Sequence, residues 1–251
     1  MLNRICIDAG NTLIKVGVFK ENESVIFKSF ASHEKQNLID YIDSYSNSGI
    51  IYSGVRNDLD SLEDYLKQKN TLFLNSEVKL PFQNLYQNPQ KLGTDRIALV
   101  CGAIYLKNKQ LINPEKLSLI IGIGTCITYD ILTADQKYFG GAISPGPEMR
   151  LKAMNYYTGK LPLPDFKISN DFPADNTERN LLTGVYRGII HEIDGFINDL
   201  KLNHQSTNCV ITGGYAGFFE NNLKNPIFAQ ENLTLIGLNQ ILIYNSTKND
   251  L

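Results

Sequence analysis

The chain has 251 residues, a length that suggests one large domain or two modest ones. Its 24 Lys and Arg against 26 Asp and Glu give a formal net charge of −2, without the clustered basic residues typical of nucleic-acid binding. No apolar run approaches the roughly 18 residues that a membrane-spanning helix needs. We therefore expect a globular protein that binds neither nucleic acid nor a membrane.

The first half of the chain predicts a three-stranded meander followed by alternating helices and strands. Apolar runs bounded by turn residues indicate the strands, and apolar residues three or four apart indicate the helices. The predicted elements are strands over 4–10, 13–19, 24–30, 49–55 and 71–74, helices over 34–47, 59–66 and 94–106, and a loop over 75–92. Ser32 is the predicted N-cap of the first helix.

The second half predicts the same order of elements. Its strands are expected over 117–124, 126–133, 138–144, 208–214 and 233–237, and its helices after Pro147 and over 177–200, 215–223 and 238–246. This repetition predicts two related α/β domains facing a cleft. The polar linker 107–116 divides them, which gives domains 1–112 and 113–251.

The cysteines indicate a reducing environment. Cys6, Cys101, Cys126 and Cys209 are scattered among apolar residues, which is typical of buried thiols. None is paired with a histidine at the spacing of zinc ligands. The N-terminal apolar stretch contains an aspartate, unlike a secretory signal. These features predict a cytoplasmic protein without disulfides.

A turn rich in phosphate-binding groups follows the first predicted strand. Gly10 permits a tight turn, and Thr12 and Lys15 add a hydroxyl and an ammonium to the turn amides, which is the donor set of a phosphate site. The Asp8 carboxylate cannot bind phosphate directly, but it is suited to hold hydrated Mg²⁺. The alternative is an ordinary hairpin turn with a solvent-facing lysine.

The matching turn of the second half has the sequence Gly122-Ile123-Gly124-Thr125, with Thr128 in the following strand. It lacks the third glycine of the dinucleotide fingerprint and precedes a strand rather than a helix, which argues against a Rossmann-type site. The chain has no GxxxxGK[ST] motif, which excludes a Walker-type loop. The two turns are candidates to face each other across the cleft.

Two further segments combine glycine with a predicted helix start. Gly93-Thr94-Asp95-Arg96 offers a general base beside an arginine, at a helix N-terminus suited to an anion. Thr and Asp are also ordinary capping residues at that position. Gly213 and Gly214 either let the backbone approach a ring or ribose or form a tight turn. The residues alone leave both alternatives open.

Taken in order, the motifs DAGNTLIK, GTDR, IGTCITYD, GGAISPG and TGGYA resemble the type III pantothenate kinase family, from Asp8 to about Leu238. That family belongs to the superfamily of actin, sugar kinases and heat-shock chaperone ATPases. The resemblance implies an α/β fold of duplicated actin-like (RNase H-like) βββαβα domains facing a central nucleotide cleft. It also implies a homodimer that phosphorylates pantothenate with ATP to 4′-phosphopantothenate, the first step of coenzyme A biosynthesis.

The resemblance also implies roles for the residues that match the family's motifs. Asp95 is the implied general base, and Asp8 is implied to hold Mg²⁺ through water. The implied ATP-binding residues are Asp8, Ala9, Gly10, Asn11, Thr12, Leu13, Ile14, Lys15, Thr125, Gly213 and Gly214. The implied pantothenate-binding residues are Tyr86, Gly93, Thr94, Asp95, Arg96 and Thr177.

One position departs from the family pattern. Members usually carry Asp at the first position of the second turn, where it binds a monovalent cation such as K⁺, and this chain has Gly122. Without that carboxylate, a K⁺ site would have only neutral oxygens. We therefore predict that strong activation by K⁺ or NH₄⁺ is lost, or that the ligand comes from elsewhere.

Two alternative functions stay open at this point. The first is a kinase of the same superfamily that acts on another small alcohol, although a sugar kinase would normally show more acidic and amide residues. The second is a nucleotide-binding regulatory or accessory protein without useful turnover, since a binding site can outlive catalysis. The presence of Asp8, Lys15, Asp95 and Arg96 argues against this second alternative.

Overall fold

The structure is a computed structural model that describes residues 3–20, 25–45, 49–54, 59–204 and 206–246. Its first elements are β1 (Arg4–Ala9), β2 (Leu13–Phe19), β3 (Val25–Ala31), α1 (Lys35–Asp43), β4 (Gly49–Gly54), α2 (Asp60–Lys67), β5 (Leu72–Phe73), β6 (Gln83–Asn84) and α3 (Thr94–Asn108). The later elements are β7 (Leu117–Ile123), β8 (Cys126–Leu132), β9 (Lys137–Pro145), α4 (Pro147–Tyr157), α5 (Thr177–Asn203), β10 (Thr207–Thr212), α6 (Ala216–Phe219), β11 (Phe228–Ala229) and α7 (Leu233–Ser246). Among the described helices, none is long and apolar enough to cross a membrane.

The chain divides into two compact units. The first comprises Met1–Pro114, Asp135–Phe139 and Asn232–Leu251, and the second comprises Glu115–Ala134 and Gly140–Glu231. The division into domains 1–112 and 113–251 stays a prediction, and it differs from these units at Asp135–Phe139 and at the C-terminal end. There, α7 packs against α3 and β1 of the first unit.

The first unit contains a five-stranded sheet in the order β3-β2-β1-β4-β5. The central strand β1 pairs antiparallel with β2 and parallel with β4. Because side chains alternate along a strand, Ile5 and Ile7 face a core shared with Leu38 of α1 and Leu62 of α2. The opposite face, which includes Asp8, is covered by α3 and α7.

The second unit repeats this strand order as β9-β8-β7-β10-β11. Here β7 is the central strand, antiparallel to β8 and parallel to β10. The core packs strand residues such as Ile121 and Tyr129 against α5, from Leu181 to Ile197. The first residues of β9 lie in the first unit, where Lys137 and Tyr138 pair with β6. The predicted duplication is therefore present strand by strand.

Several local predictions were wrong. The loop predicted over 75–92 contains the short strand β6, and of the helix predicted over 215–223 only Ala216–Phe219 is α-helical. The run LTLIG at 233–237, predicted as a strand, is the first part of α7, because a short apolar run fits a buried helix as well as a buried strand. The last strand is instead Phe228–Ala229. Ser32 does not cap α1, whose N-cap is Glu34, and the predicted helix end at 46–47 lies outside the described residues.

The position of α7 depends on two glycines at its contact with α3. A Cβ added to Gly237 would overlap the carbonyl oxygen of Ala98, and one added to Gly102 would lie 2.7 Å from the carbonyl oxygen of Leu233. Glycine lets two backbones approach this closely because it has no Cβ. This contact holds α7 in the first unit.

We expect Gly237→Ala to lower the free energy of unfolding by about 1–3 kcal/mol, because the added methyl group overpacks the α3–α7 contact. The matched control is Gly184→Ala in α5, where a Cβ would meet nothing within 4 Å. That change should stabilise the protein by about 0.5–1 kcal/mol through helix propensity. Urea unfolding of both variants measures the difference, and equal effects would contradict this account of the contact.

Candidate active site

A polar row crosses the first sheet on the face covered by α3 and α7. Asp8 of β1 lies directly opposite Lys15 of β2 and directly opposite Ser53 of β4. Directly opposed residues project their side chains to the same face, so the carboxylate lies between the ammonium and the hydroxyl. The turn between β1 and β2 leaves Asn11 and Thr12 exposed. The structure thus brings the first predicted phosphate-binding turn together with its aspartate.

Ser53 connects this row to the beginning of α3. Its hydroxyl donates to the Thr94 hydroxyl at 2.9 Å, and the side chain is only 1% exposed. Ser53 is not among the residues predicted from sequence, although a single hydroxyl residue inside the otherwise apolar run GIIYSG was a usable signal. Through this bond the sheet fixes the helix start that carries the predicted substrate segment.

Asp95 has a local structural contact at that helix start. Its Oδ1 accepts a hydrogen bond from the backbone N–H of Arg96 at 2.9 Å. A Cβ on Gly93 would lie 2.5 Å from this oxygen, so a larger residue there would displace the carboxylate. This bond lies inside the first helical turn, whereas the N-cap of α3 is Gly93, which has no side chain to cap the helix.

Arg96 and Tyr86, both predicted to bind substrate, lie together in the first unit. The Arg96 guanidinium carbon is 5.9 Å from the centre of the Tyr86 ring, a cation–π distance. Tyr86 in turn stacks on Tyr138, with ring centres 6.3 Å apart. These contacts hold a planar cation beside a flat aromatic ring.

The electrostatics of Asp8 favour a nearby cation. Burial of the carboxyl group, followed by the negative charge of Asp95, raises the pKa of Asp8 from 3.8 to about 7, and the charge of Lys15 opposes the rise. Two carboxylates therefore share one ammonium. A hydrated divalent cation would restore the charged form of Asp8, so these residues fit such an ion.

The second unit has an equivalent row that carries no charge. Gly122 of the central strand lies opposite Thr128 on one side and Thr212 on the other, as Asp8 lies opposite Lys15 and Ser53. The Thr128 hydroxyl is shielded from solvent and has no hydrogen-bond partner among the described residues. A glycine thus replaces the side chain that would reach this hydroxyl. A carboxylate on the same face of β8, that of Asp130, lies two residues further along the strand.

Two other segments of the second unit hold the turn at Thr125. The Gly146 N–H donates to the Thr125 carbonyl oxygen at 3.0 Å, and the Tyr215 N–H donates to the Ile123 carbonyl oxygen at 3.2 Å. Gly213 has φ +102°, a backbone conformation that favours glycine, and packs on the backbone of Ile123. The predicted residues Thr125, Gly213 and Gly214 are therefore neighbours.

Thr177 is the first residue of α5, whose N-cap Asn176 accepts from the Arg179 N–H. A cavity of about 400 Å³ lies beside it, lined by residues that include Lys167, Asp171 and Arg179. The structure thus places the last predicted substrate residue next to an open, charged depression of the second unit.

Solved structures identify the class of fold. A conserved candidate Baf family transcriptional activator from Campylobacter jejuni superposes with a TM-score of 0.62 at 24% identity, covering 97% of this chain and 99% of that one. A candidate N-acetylmannosamine kinase from Listeria monocytogenes has a TM-score of 0.55 at 14% identity, covering 98% and 100%. These similarities, which speak to fold alone, confirm an α/β protein of duplicated actin-like domains.

The family follows from sequence. A profile of the family described as type III pantothenate kinase matches residues 4–199. The type III pantothenate kinase of Christiangramia forsetii is 39% identical over 255 residues, covering 97% of this chain and 99% of that protein. The chain belongs to the type III pantothenate kinase family, which confirms the predicted family. It is therefore a kinase, a class of enzyme that uses ATP and typically a metal ion.

Because folding raises its pKa, Asp8 should lower the stability of the folded protein to an extent that depends on pH. The folded protein binds this proton more tightly than the unfolded chain, so stability falls as pH rises from about 4 to 7. Asp8→Asn should therefore raise Tm above pH 7 in buffer without divalent cations, by about 2–4 °C per kcal/mol recovered. The gain should shrink as pH is lowered from 7 toward 4.

Differential scanning calorimetry across this pH range measures the effect. Asp64→Asn is the control, because Asp64 is an exposed carboxylate paired with Lys67 on α2. A Tm gain for Asp8→Asn that does not vary with pH would contradict the electrostatic explanation.

Proposed function

We propose that this chain transfers the γ-phosphoryl group of ATP to the primary hydroxyl of pantothenate, giving 4′-phosphopantothenate and ADP, the first step of coenzyme A biosynthesis. Membership of the type III pantothenate kinase family supports the substrate. The observation that carries the proposal is the position of Asp95. It lies close enough to Asp8 for their charges to interact, and it precedes Arg96, which faces Tyr86.

On the acceptor side, Asp95 would orient the pantothenate hydroxyl and receive its proton as the oxygen bonds to phosphorus. Phosphoryl transfer has a loose transition state, so the proton leaves late and positioning matters more than the strength of the base. The guanidinium of Arg96 is suited to bidentate binding of the substrate carboxylate. The other residues of the proposed pantothenate site are Gly93, Thr94, Tyr86 and Thr177.

On the donor side, the ATP phosphates would contact the turn from Asp8 to Lys15 and the hydroxyl of Thr125. Lys15 and Thr12 supply the charge and the hydrogen bonds that this turn can offer to phosphate oxygens. Mg²⁺, held through water by Asp8, would neutralise charge on the transferring phosphoryl group. Gly213 and Gly214 would let the adenosine lie against the backbone.

The proposed enzyme is a cytoplasmic homodimer. The active form is a homodimer, as the sequence resemblance implies, and light scattering of the purified protein would test it. The protein acts in the cytoplasm, and its cysteines, three of which are buried and all of which are unpaired, are compatible with a reducing environment.

The two alternative functions, a regulatory protein and a kinase for another alcohol, differ in the residues that they require at the site. A regulatory nucleotide-binding protein needs no base beside an acceptor site, and the structural likeness to a candidate transcriptional activator, at 24% identity, bears on fold alone. A kinase for another small alcohol would share the chemistry and differ only in the product. Both alternatives are decided by the assay that follows.

The first test is ADP release by the purified protein with Mg-ATP, with and without pantothenate, with product identification by mass spectrometry. We expect release that depends on pantothenate. Asp95→Asn should lower kcat by roughly 10²–10⁴, the usual range for loss of general acid–base catalysis. Asp64→Asn, on the exposed face of α2, is the control and should keep the wild-type kcat.

The outcomes separate the alternatives. A folded Asp95→Asn variant with nearly unchanged kcat would reduce Asp95 to a helix-capping residue. Turnover with another alcohol and not with pantothenate would indicate the related kinase. Nucleotide binding without turnover on any alcohol would indicate the regulatory protein.

A separate prediction concerns Gly122. Exchange of Na⁺ for K⁺ at constant ionic strength should leave the wild-type rate similar, because no carboxylate stands between Thr128 and Thr212. Gly122→Asp should gain stimulation by K⁺, since the new carboxylate would add a charged ligand. Gly122→Asn, of the same size but neutral, is the control. A large K⁺ stimulation of the wild-type enzyme would contradict this interpretation.

A further inference from the structure

A network of polar side chains in the second unit has no role in the function described above. The carboxylate of Glu192, in the middle of α5, accepts from Tyr129 of β8 at 2.8 Å and from Ser144 of β9 at 2.5 Å. Its second oxygen accepts from Arg150 of α4 at 2.5 Å. One carboxylate thus connects three other elements to the long helix of this unit.

Arg150 extends the network toward the turn at Thr125. Its Nε donates to the Pro145 carbonyl oxygen at 2.8 Å while its Nη2 holds Glu192. The next residue, Gly146, donates its N–H to the Thr125 carbonyl oxygen at 3.0 Å. A Cβ on Gly146 would overlap the carbonyl oxygen of Gly124, so this corner lies directly against the turn.

We propose that Glu192 and Arg150 are positioning residues that hold the Gly124–Thr125 turn for the phosphates of ATP. This inference rests on the proposed function, in which Thr125 contacts ATP. Neither side chain touches the nucleotide in this account. They act through the carbonyl of Pro145 and the N–H of Gly146, which set where the Thr125 backbone lies.

The chemistry of the pair suits this role. Arg150 and Glu192 retain only 20% and 23% side-chain exposure, so water competes weakly for their bond. Arginine can hold the carboxylate and the Pro145 carbonyl together because its donors form a rigid fork. Lysine at this position could keep the ion pair, but its single nitrogen cannot reproduce both bonds in the same geometry.

The experiment compares Glu192→Gln and Arg150→Lys with the control Asp194→Asn. Asp194 lies two residues further along α5, is 6% exposed and accepts from the backbone N–H groups of Lys224 and Asn225. Each variant weakens a hydrogen-bond network around a carboxylate of α5, and only the network of Glu192 and Arg150 extends to the Thr125 turn. For each, KM for ATP, KM for pantothenate, Tm and the Kd of Mg-AMPPNP by calorimetry are measured.

We expect both Glu192→Gln and Arg150→Lys to lower kcat/KM for ATP, by up to about 10²-fold, since small displacements of positioned groups have effects of that size. KM for ATP and the Kd of Mg-AMPPNP should rise in parallel, while KM for pantothenate stays at the wild-type value. Asp194→Asn should lower Tm and leave the nucleotide constants unchanged.

Three results would overturn the inference. The first is a Glu192→Gln variant with a lowered Tm but wild-type KM for ATP and wild-type Kd for Mg-AMPPNP. The second is an Arg150→Lys variant whose KM and Kd equal those of the wild-type protein. The third is a rise in KM for ATP and in the Kd of Mg-AMPPNP that is as large in Asp194→Asn as in the other two variants. A wild-type protein without pantothenate-dependent ADP release would instead refute the proposed function, and the Kd values of Mg-AMPPNP would still decide the role of Arg150 and Glu192.

Discussion

The candidate chemistry of the first unit depends on the register of one strand, β1, between an antiparallel and a parallel neighbour. This register sets Asp8 opposite Lys15 and Ser53, and Ser53 bonds to Thr94 at the start of α3. A slip of one residue would turn Asp8 toward the apolar core of α1 and α2. That slip would be costly because Ile5 and Ile7 would leave their core while Asp8 entered it. The hydrophobic core thus determines where the carboxylate points.

The two units share one strand order but differ in the charged groups of their central rows. In the first unit the central row has a carboxylate and an ammonium, and in the second it has Gly122 between two threonines. The second unit instead places its ion pair away from the row, where Arg150 and Glu192 brace the adjoining loops. Duplication of a fold therefore preserves strand order while the charged groups move to other positions.

Sequence patterns predicted most strands, the long helix α5 and the motifs of both turns, because these depend on local periodicity and turn residues. They could not predict contacts that depend on register or on distant elements. Ser53 and Thr94 are 41 positions apart, and Arg150 and Glu192 are 42 apart. The first part of α7, 233–237, was predicted as a strand because a short apolar run such as LTLIG fits a buried strand as well as a buried helix.

The charged form of Asp8 also lowers the stability of the folded protein. Its pKa of about 7 means that folding disfavours its charged form, first through burial and then through the charge of Asp95, with Lys15 compensating in part. A protein selected for stability alone would place a neutral residue in this row, as the second unit does at Gly122. The unfavourable carboxylate therefore points to a ligand that brings positive charge. In a kinase, a metal ion accompanying the nucleotide is the ligand that meets this requirement, which ties the electrostatics of the row to phosphoryl transfer.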